Sequence, residues 1–305
     1  MTPPVVFICG ATGTQGGALA HHLLQQGVQV HAIARNTKSA AAQNLQSLGA
    51  NITKGDFDNE ETLKKGMAGC SVLFLNLTPN HLNPTGELDQ AKRIISIAKQ
   101  SGIEQVVYSA GLATDHPERL RYWDPNSPVA QVLFAKQAIV NEVRTAGFDR
   151  WTILRPGNFM SNFLDPLVRM YPGLTKTGKF TTVFAPDTTL PMVDPSDIGK
   201  FAAAAILDSA RFTHQEISLA SQLMGVEDIV RDLSQATGRK IQAVFLSEEE
   251  ANEQIPYNPL LGAQRLLIDA SQFVDMDEVR RWNIELGTFP EFLAREKNRV
   301  QETYL

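Results

Sequence analysis

The chain has 305 residues, 43% of them hydrophobic and 20% charged, enough to bury a nucleotide-type domain and a smaller appendage. Its formal charge of −5, with no run of lysines or arginines, argues against direct nucleic-acid binding, which needs a concentrated basic face. No stretch reaches the roughly 20 apolar residues of a membrane span. Cys9 and Cys70 have no metal-ligand spacing, and the first residues carry no basic region or cleavage signal. The expected protein is therefore soluble, cytoplasmic and metal-free, with its thiols reduced.

The most informative segment comes first. Val5-Val6-Phe7-Ile8-Cys9 runs into Gly10-Ala11-Thr12-Gly13-Thr14-Gln15-Gly16-Gly17, an apolar strand (4–9) that empties into a glycine-rich loop opening a helix. Glycines at 10, 13 and 16 turn the chain tightly and let backbone N–H groups approach a pyrophosphate, whose charge is stabilised at the helix N-terminus. Thr12, Thr14 and Gln15 fill the positions between them. The second strand, 28–34, follows at the distance a βαβ unit requires and ends at Ala34-Arg35, with Lys38 just beyond. An NAD site usually places an acid there for the ribose 2′-hydroxyl, whereas a 2′-phosphate needs positive charge. Arg35 and Lys38 thus favour NADP(H), the alternative being ordinary solvated charges at a strand end.

Further strands are expected at 50–54, 71–77, 105–109 and 150–155, alternating with helices, so the fold class is α/β: a Rossmann-like, doubly wound parallel sheet. After the third strand, Asp56 faces the adenine or makes a turn, with Phe57 beside it, and Asp58 to Glu61 form a capping box. Asn76, Thr78 and His81 leave the fourth strand, and Tyr108 and Ser109 end the fifth. Such carboxyl ends border the ligand crevice, which makes Asn76, Thr78 and Ser109 candidates for the nicotinamide ribose. His81 either touches substrate there or is simply solvated. Leu88, Ala91, Ile94, Ile95 and Ala98 form a helix closed by Gly102.

In the helix at 129–147, Lys136 falls on the apolar stripe of Val132, Ile139, Val140 and Val143. A lysine there snorkels to the surface, pairs with an acid, or serves a bound ligand. Beyond Arg155-Pro156-Gly157, proline and glycine become frequent to residue 195, as expected of loops over a ligand. A helix at 194–208 and a strand at 216–220 return to the sheet. The remainder is mostly helical, with an isolated strand near 241–245. The expected division is a nucleotide domain at 1–156, completed by segments near 194–220, and a smaller domain at 157–305.

Gly10-Ala11-Thr12-Gly13 with Gly16 and Gly17, Arg35-Asn36, Gly55-Asp56, Tyr108-Ser109, Phe134-Ala135-Lys136, Leu154 to Met160 with Asn162, and Val193-Asp194 with Asp197-Ile198-Gly199 together resemble the NmrA-like family. This is a branch of the atypical short-chain dehydrogenase/reductases. The resemblance implies NADP(H) in a crevice between the two domains, with Pro156, Asn158 and Phe159 among its contacts and Lys136 beside the nicotinamide ribose. One departure stands out: the superfamily's Tyr-x-x-x-Lys pair has Val132 in the tyrosine position. Two kinds of relative tolerate that loss. One is a reductase of small aromatic, carbonyl, enone or imine molecules in which the lysine is the acid or base. Met160, Phe163 and Met192, with Tyr108 and His81, would then line the substrate pocket, unless they are packing residues. The other is a redox-sensing regulator, cytoplasmic or nuclear, that binds a protein partner.

Overall fold

The computed structural model describes residues 3–79, 83, 86–171 and 173–305. It divides into two compact units, the first made of 1–115, 126–156 and 195–217, the second of 116–125, 157–194 and 218–305. The segment 116–125 thus joins the second unit, not the nucleotide unit to which its position in the chain would assign it.

The first unit alternates β1 (Val5–Ile8), α1 (Thr14–Gln25), β2 (Gln29–Ala34), α2 (Ala40–Ser47), β3 (Asn51–Lys54), α3 (Glu60–Met67), β4 (Val72–Leu75), α4 (Gly86–Gln100), β5 (Gln105–Ser109), α5 (Pro128–Thr145) and β6 (Arg150–Pro156). The sheet runs β3-β2-β1-β4-β5-β6, and the strand Gln215–Leu219 adds at the β6 edge. Adjacent strands pair parallel, with Val6 opposite both Val30 and Val72, and Ser109 opposite Leu154. Strands such as Val-Leu-Phe-Leu in β4 are buried along their whole length, as sheets covered by helices on both faces require. One face packs Phe7, Leu73, Leu75 and Tyr108 against Ile94, Ile139, Val140 and Val143. The chain leaves β1 toward β2 on one side and reaches β4 on the other, so strand order reverses between β1 and β4. In an open α/β sheet that reversal opens a ligand crevice at the carboxyl ends.

Two local expectations need correction. The N-cap of α3 is Asn59, whose side chain takes the Thr62 N–H at 3.0 Å, and not Asp58. Asn caps as well as Asp, and Asp58 is drawn away by Arg93 and Gln90, at 3.0 and 3.1 Å. The region 157–195 is also not all loop. Asn158–Phe159, Thr189–Val193 and Gln222–Gly225 form a three-stranded sheet in the second unit. Lys179–Thr182 pairs parallel with Gln242–Phe245, so the strand expected to stand alone near 241–245 has a partner.

At the carboxyl end of β6, Arg155 is buried and donates to Thr114 and Asp115 at 3.1 and 2.5 Å and to Glu216, which also takes two bonds from Arg144 at 2.7 Å. Burial pushes the Glu216 carboxyl up, but hydrogen bonds from Arg155 and Arg144 outweigh it and hold the group below the usual carboxylate range. Its stabilising contribution is therefore complete above about pH 4.5 and is lost as pH falls through the lowered folded-state value. Glu216→Gln is expected to cost about 1.5–3 kcal/mol at neutral pH and to flatten the acid limb of stability. Urea unfolding across acid and neutral pH checks this, and parallel curves for the two proteins would contradict it.

Candidate functional site

In the first unit, the glycine loop, Asn76, Ser109 and Lys136 occupy the carboxyl edge of the sheet around the strand-order reversal. Gly10 leaves β1 at φ +68°, in the left-handed region, and a Cβ there would stand 3.2 Å from Asn76 Nδ2. Gly16 is tighter still: a Cβ would meet Gly10 O at 2.4 Å and Ala11 N at 2.9 Å, so the first turn of α1 lies directly on the loop. Gly13 N–H closes the loop onto Gly10 O at 2.9 Å. The α1 N-cap is Gly13 itself, with no side-chain oxygen on the free N–H groups of the first turn and no acid within it. Thr12, Gly13 and Thr14 are exposed. Uncapped donors at the positive end of a 12-residue helix fit an anionic ligand.

Gln15 fixes this edge. Its Nε2 donates to Asn76 Oδ1 at 3.0 Å, and its Oε1 accepts from Ser109 Oγ at 2.5 Å. One amide thus ties the loop after β1 to the ends of β4 and β5, and three residues expected to touch cofactor hold one another in place. Arg35 is exposed just past β2, and among the described residues it has no hydrogen-bonding or ionic partner. Lys38 is exposed as well; its N–H is taken by Asn36 Oδ1 at 3.0 Å in the turn before α2. Asp56 closes a turn by accepting the Asp58 N–H at 3.0 Å, and Phe57 is half-buried against the core. Thr78 is exposed, whereas His81 lies outside the described residues.

Lys136 does not snorkel. Its side chain is 12% exposed, its Cδ lies 3.8 Å from where a Cβ on Gly111 would stand, and its Nζ donates at 2.9 Å to Glu87, whose side chain is 2% exposed. Glu87 had no place in the sequence reading. A signal was present: 87, 91, 94 and 98 share one helical face, and the other three are apolar. An acid on the buried face of α4 and a lysine on the buried face of α5 are natural partners.

Tyr108, Met160, Phe163 and Met192 require correction as substrate-pocket residues. Tyr108 is 0% exposed within the sheet core of the first unit, because β5 is a central strand covered on both faces. Met160, Phe163 and Met192 are equally enclosed in the core of the second unit, where Phe163 stacks on Tyr171 at 5.3 Å and meets the edge of Phe180 at 5.8 Å. None of the four presents surface to a ligand in this conformation. Pro156 is buried at the end of β6. In the second unit Asn158 and Phe159 are half-buried, with the Asn158 amide held by Met192 Sδ at 3.3 Å and by Asn162 at 3.1 Å. Buried Asp194 is clamped by Arg295 at 2.8 and 2.9 Å, an anchoring pair and not a free acid. Among the described residues no cluster of His, Cys, Asp or Glu can hold a metal ion, and no helix is long and apolar enough to cross a membrane.

The strand order, the uncapped glycine-loop helix and the polar bridge behind it define a Rossmann-like α/β protein. The chain belongs to the NmrA-like family, whose sequence model matches residues 3–289. Among its relatives is the NmrA-like family domain-containing oxidoreductase lnaB of Aspergillus flavus, 28% identical over 257 residues that cover 77% of this chain and 74% of lnaB. The NAD(P)H azoreductase of Xenophilus azovorans is 25% identical over 252 residues, covering 82% and 79%. Among solved structures, the Citrobacter sp. triphenylmethane reductase complexed with NADP(H) superposes with a TM-score of 0.70 at 22% identity, over 95% of this chain and 99% of that one.

Proposed function

We propose that the protein is an NADPH-dependent reductase of a small conjugated molecule, a quinone, enone, imine or azo compound. The observation that carries this is the largely buried side chain of Lys136, whose Cδ lies beside Gly111 just past the carboxyl end of β5 and whose Nζ is held by Glu87, on the same sheet edge as the uncapped glycine loop. The relatives named as oxidoreductases and as an azoreductase support it. In this account the N–H groups of residues 14–16 hold the pyrophosphate and Gln15 keeps Asn76 and Ser109 aimed at the nicotinamide ribose. Arg35 forks onto the 2′-phosphate, aided by Lys38, while Asp56 and Phe57 border the adenine. When bound, the dinucleotide supplies a hydride. Lys136 supplies the proton that completes the reduction, a task no side chain at Val132 can perform.

Arg35→Ala is expected to weaken NADPH binding roughly 10- to 100-fold and to leave NADH binding nearly unchanged, since a charge-assisted contact to a phosphate is lost. Fluorescence titration of both dinucleotides checks this, and equal affinity of the wild type for the two would contradict it.

Val132 in the superfamily's tyrosine position favours a second reading, a regulator that reports the NADPH/NADP+ ratio to a protein partner. That function requires the two redox forms to bind with different affinity or to stabilise different conformations.

A further inference from the structure

Glu87 is the second residue of α4 and is turned to the apolar face of that helix. Among the described residues its one ionic partner is Lys136, whose Nζ donates to Oε1 at 2.9 Å. A second group lies within its field. The Tyr108 hydroxyl is buried on β5 with no hydrogen-bond partner among the described residues. Burial, and then the charge of Glu87, push this phenol well above its ordinary value. Tyr108 therefore keeps its proton. Fully buried, it does not stand in for the tyrosine missing at Val132.

A buried ion pair adds little net stability over an apolar pair of the same volume, since desolvation offsets the attraction. Its distinctive effect is to fix direction. Lysine is a point charge on a flexible four-carbon stem, and a buried carboxylate at 2.9 Å selects one rotamer of it. We propose that Glu87 is the positioning residue of Lys136, locking the ammonium at the carboxyl end of β5. The proposal rests on the reading of Lys136 as the proton donor.

Two readouts test it: turnover at saturating NADPH and acceptor, and the rate at which acetic anhydride acylates Lys136, followed by peptide mass spectrometry. In Glu87→Gln, kcat is expected to fall about 100-fold, the cost of a small misplacement, with KM little changed and acylation of Lys136 faster. Glu87→Asp keeps the charge and is expected to recover part of kcat. Wild-type kcat in both Glu87 variants alongside lowered melting temperatures would overturn the proposal, reducing the pair to a structural contact. If the wild type turns over no acceptor, the reductase reading fails separately and acylation with NADP+ present still decides. Protection of Lys136 by NADP+ that is lost in Glu87→Gln supports positioning, and equal protection in both proteins overturns it.

Discussion

Lys136→Met is expected to destabilise the protein by about 3–5 kcal/mol and to abolish turnover. Methionine keeps the aliphatic volume, but the Glu87 carboxylate, with only 2% of its side chain exposed, is left without its counter-charge. A loss of that size is a large share of the 5–15 kcal/mol typical of a folded protein, so it reads out directly in urea unfolding. The double variant Lys136→Met/Glu87→Leu removes both charges at once. Because an apolar pair of similar volume replaces a buried ion pair at little or no cost, this variant should regain most of the stability and none of the activity. The two roles of Lys136 then separate, one restored by the second substitution and the other not. Turnover in the double variant would mean that the lysine is not the proton donor.

Gly16→Ala is expected to weaken NADPH binding at least about 100-fold and to cost roughly 1–3 kcal/mol of stability. The added Cβ would stand 2.4 Å from Gly10 O and 2.6 Å from Gly10 C, backbone atoms that cannot rotate away. Either α1 lifts off the loop or the loop changes path, and both outcomes disperse the N–H groups at the helix start. Calorimetric titration with NADPH and a thermal melt check this. Wild-type affinity in Gly16→Ala would show that the dinucleotide is held elsewhere.

The parts of the fold legible in the sequence were those dictated by local patterning. Of the six strands of the nucleotide unit, β1 and β4 are wholly apolar and the others mostly so, with β3 (Asn-Ile-Thr-Lys) the exception, and the expected bounds all fall within two residues of those observed. The glycine loop was legible because a tight turn after an apolar strand has few sequence solutions. What depends on distant partners was not. Asp58 and Asn59 are interchangeable as caps by local rules, and the choice is made by Arg93, 35 residues away from Asp58. The strands at 179–182 and 189–193 are short, lie among prolines and glycines, and exist because 242–245 and 222–225 pair with them. The aromatics and methionines after residue 159 satisfy a pocket wall and a core equally well, and only the packing of Phe163 against Tyr171 and Phe180 decides for the core. At the site, Lys136 could be singled out because a lysine on an apolar stripe is anomalous. Its partner lies 49 residues earlier on another helix, and that juxtaposition is a product of the fold.

The central claim is that the dinucleotide held at this sheet edge is spent on a small molecule. The most direct test is a single-turnover experiment under anaerobic conditions. Protein saturated with NADPH is mixed with quinone, enone, imine and azo acceptors, and NADPH absorbance is followed beside Lys136→Met. The wild type is expected to lose one NADPH per acceptor reduced with at least one class, and the variant none. NADPH that binds tightly yet survives every acceptor, while NADPH and NADP+ differ in affinity, would contradict it and leave the regulator as the function.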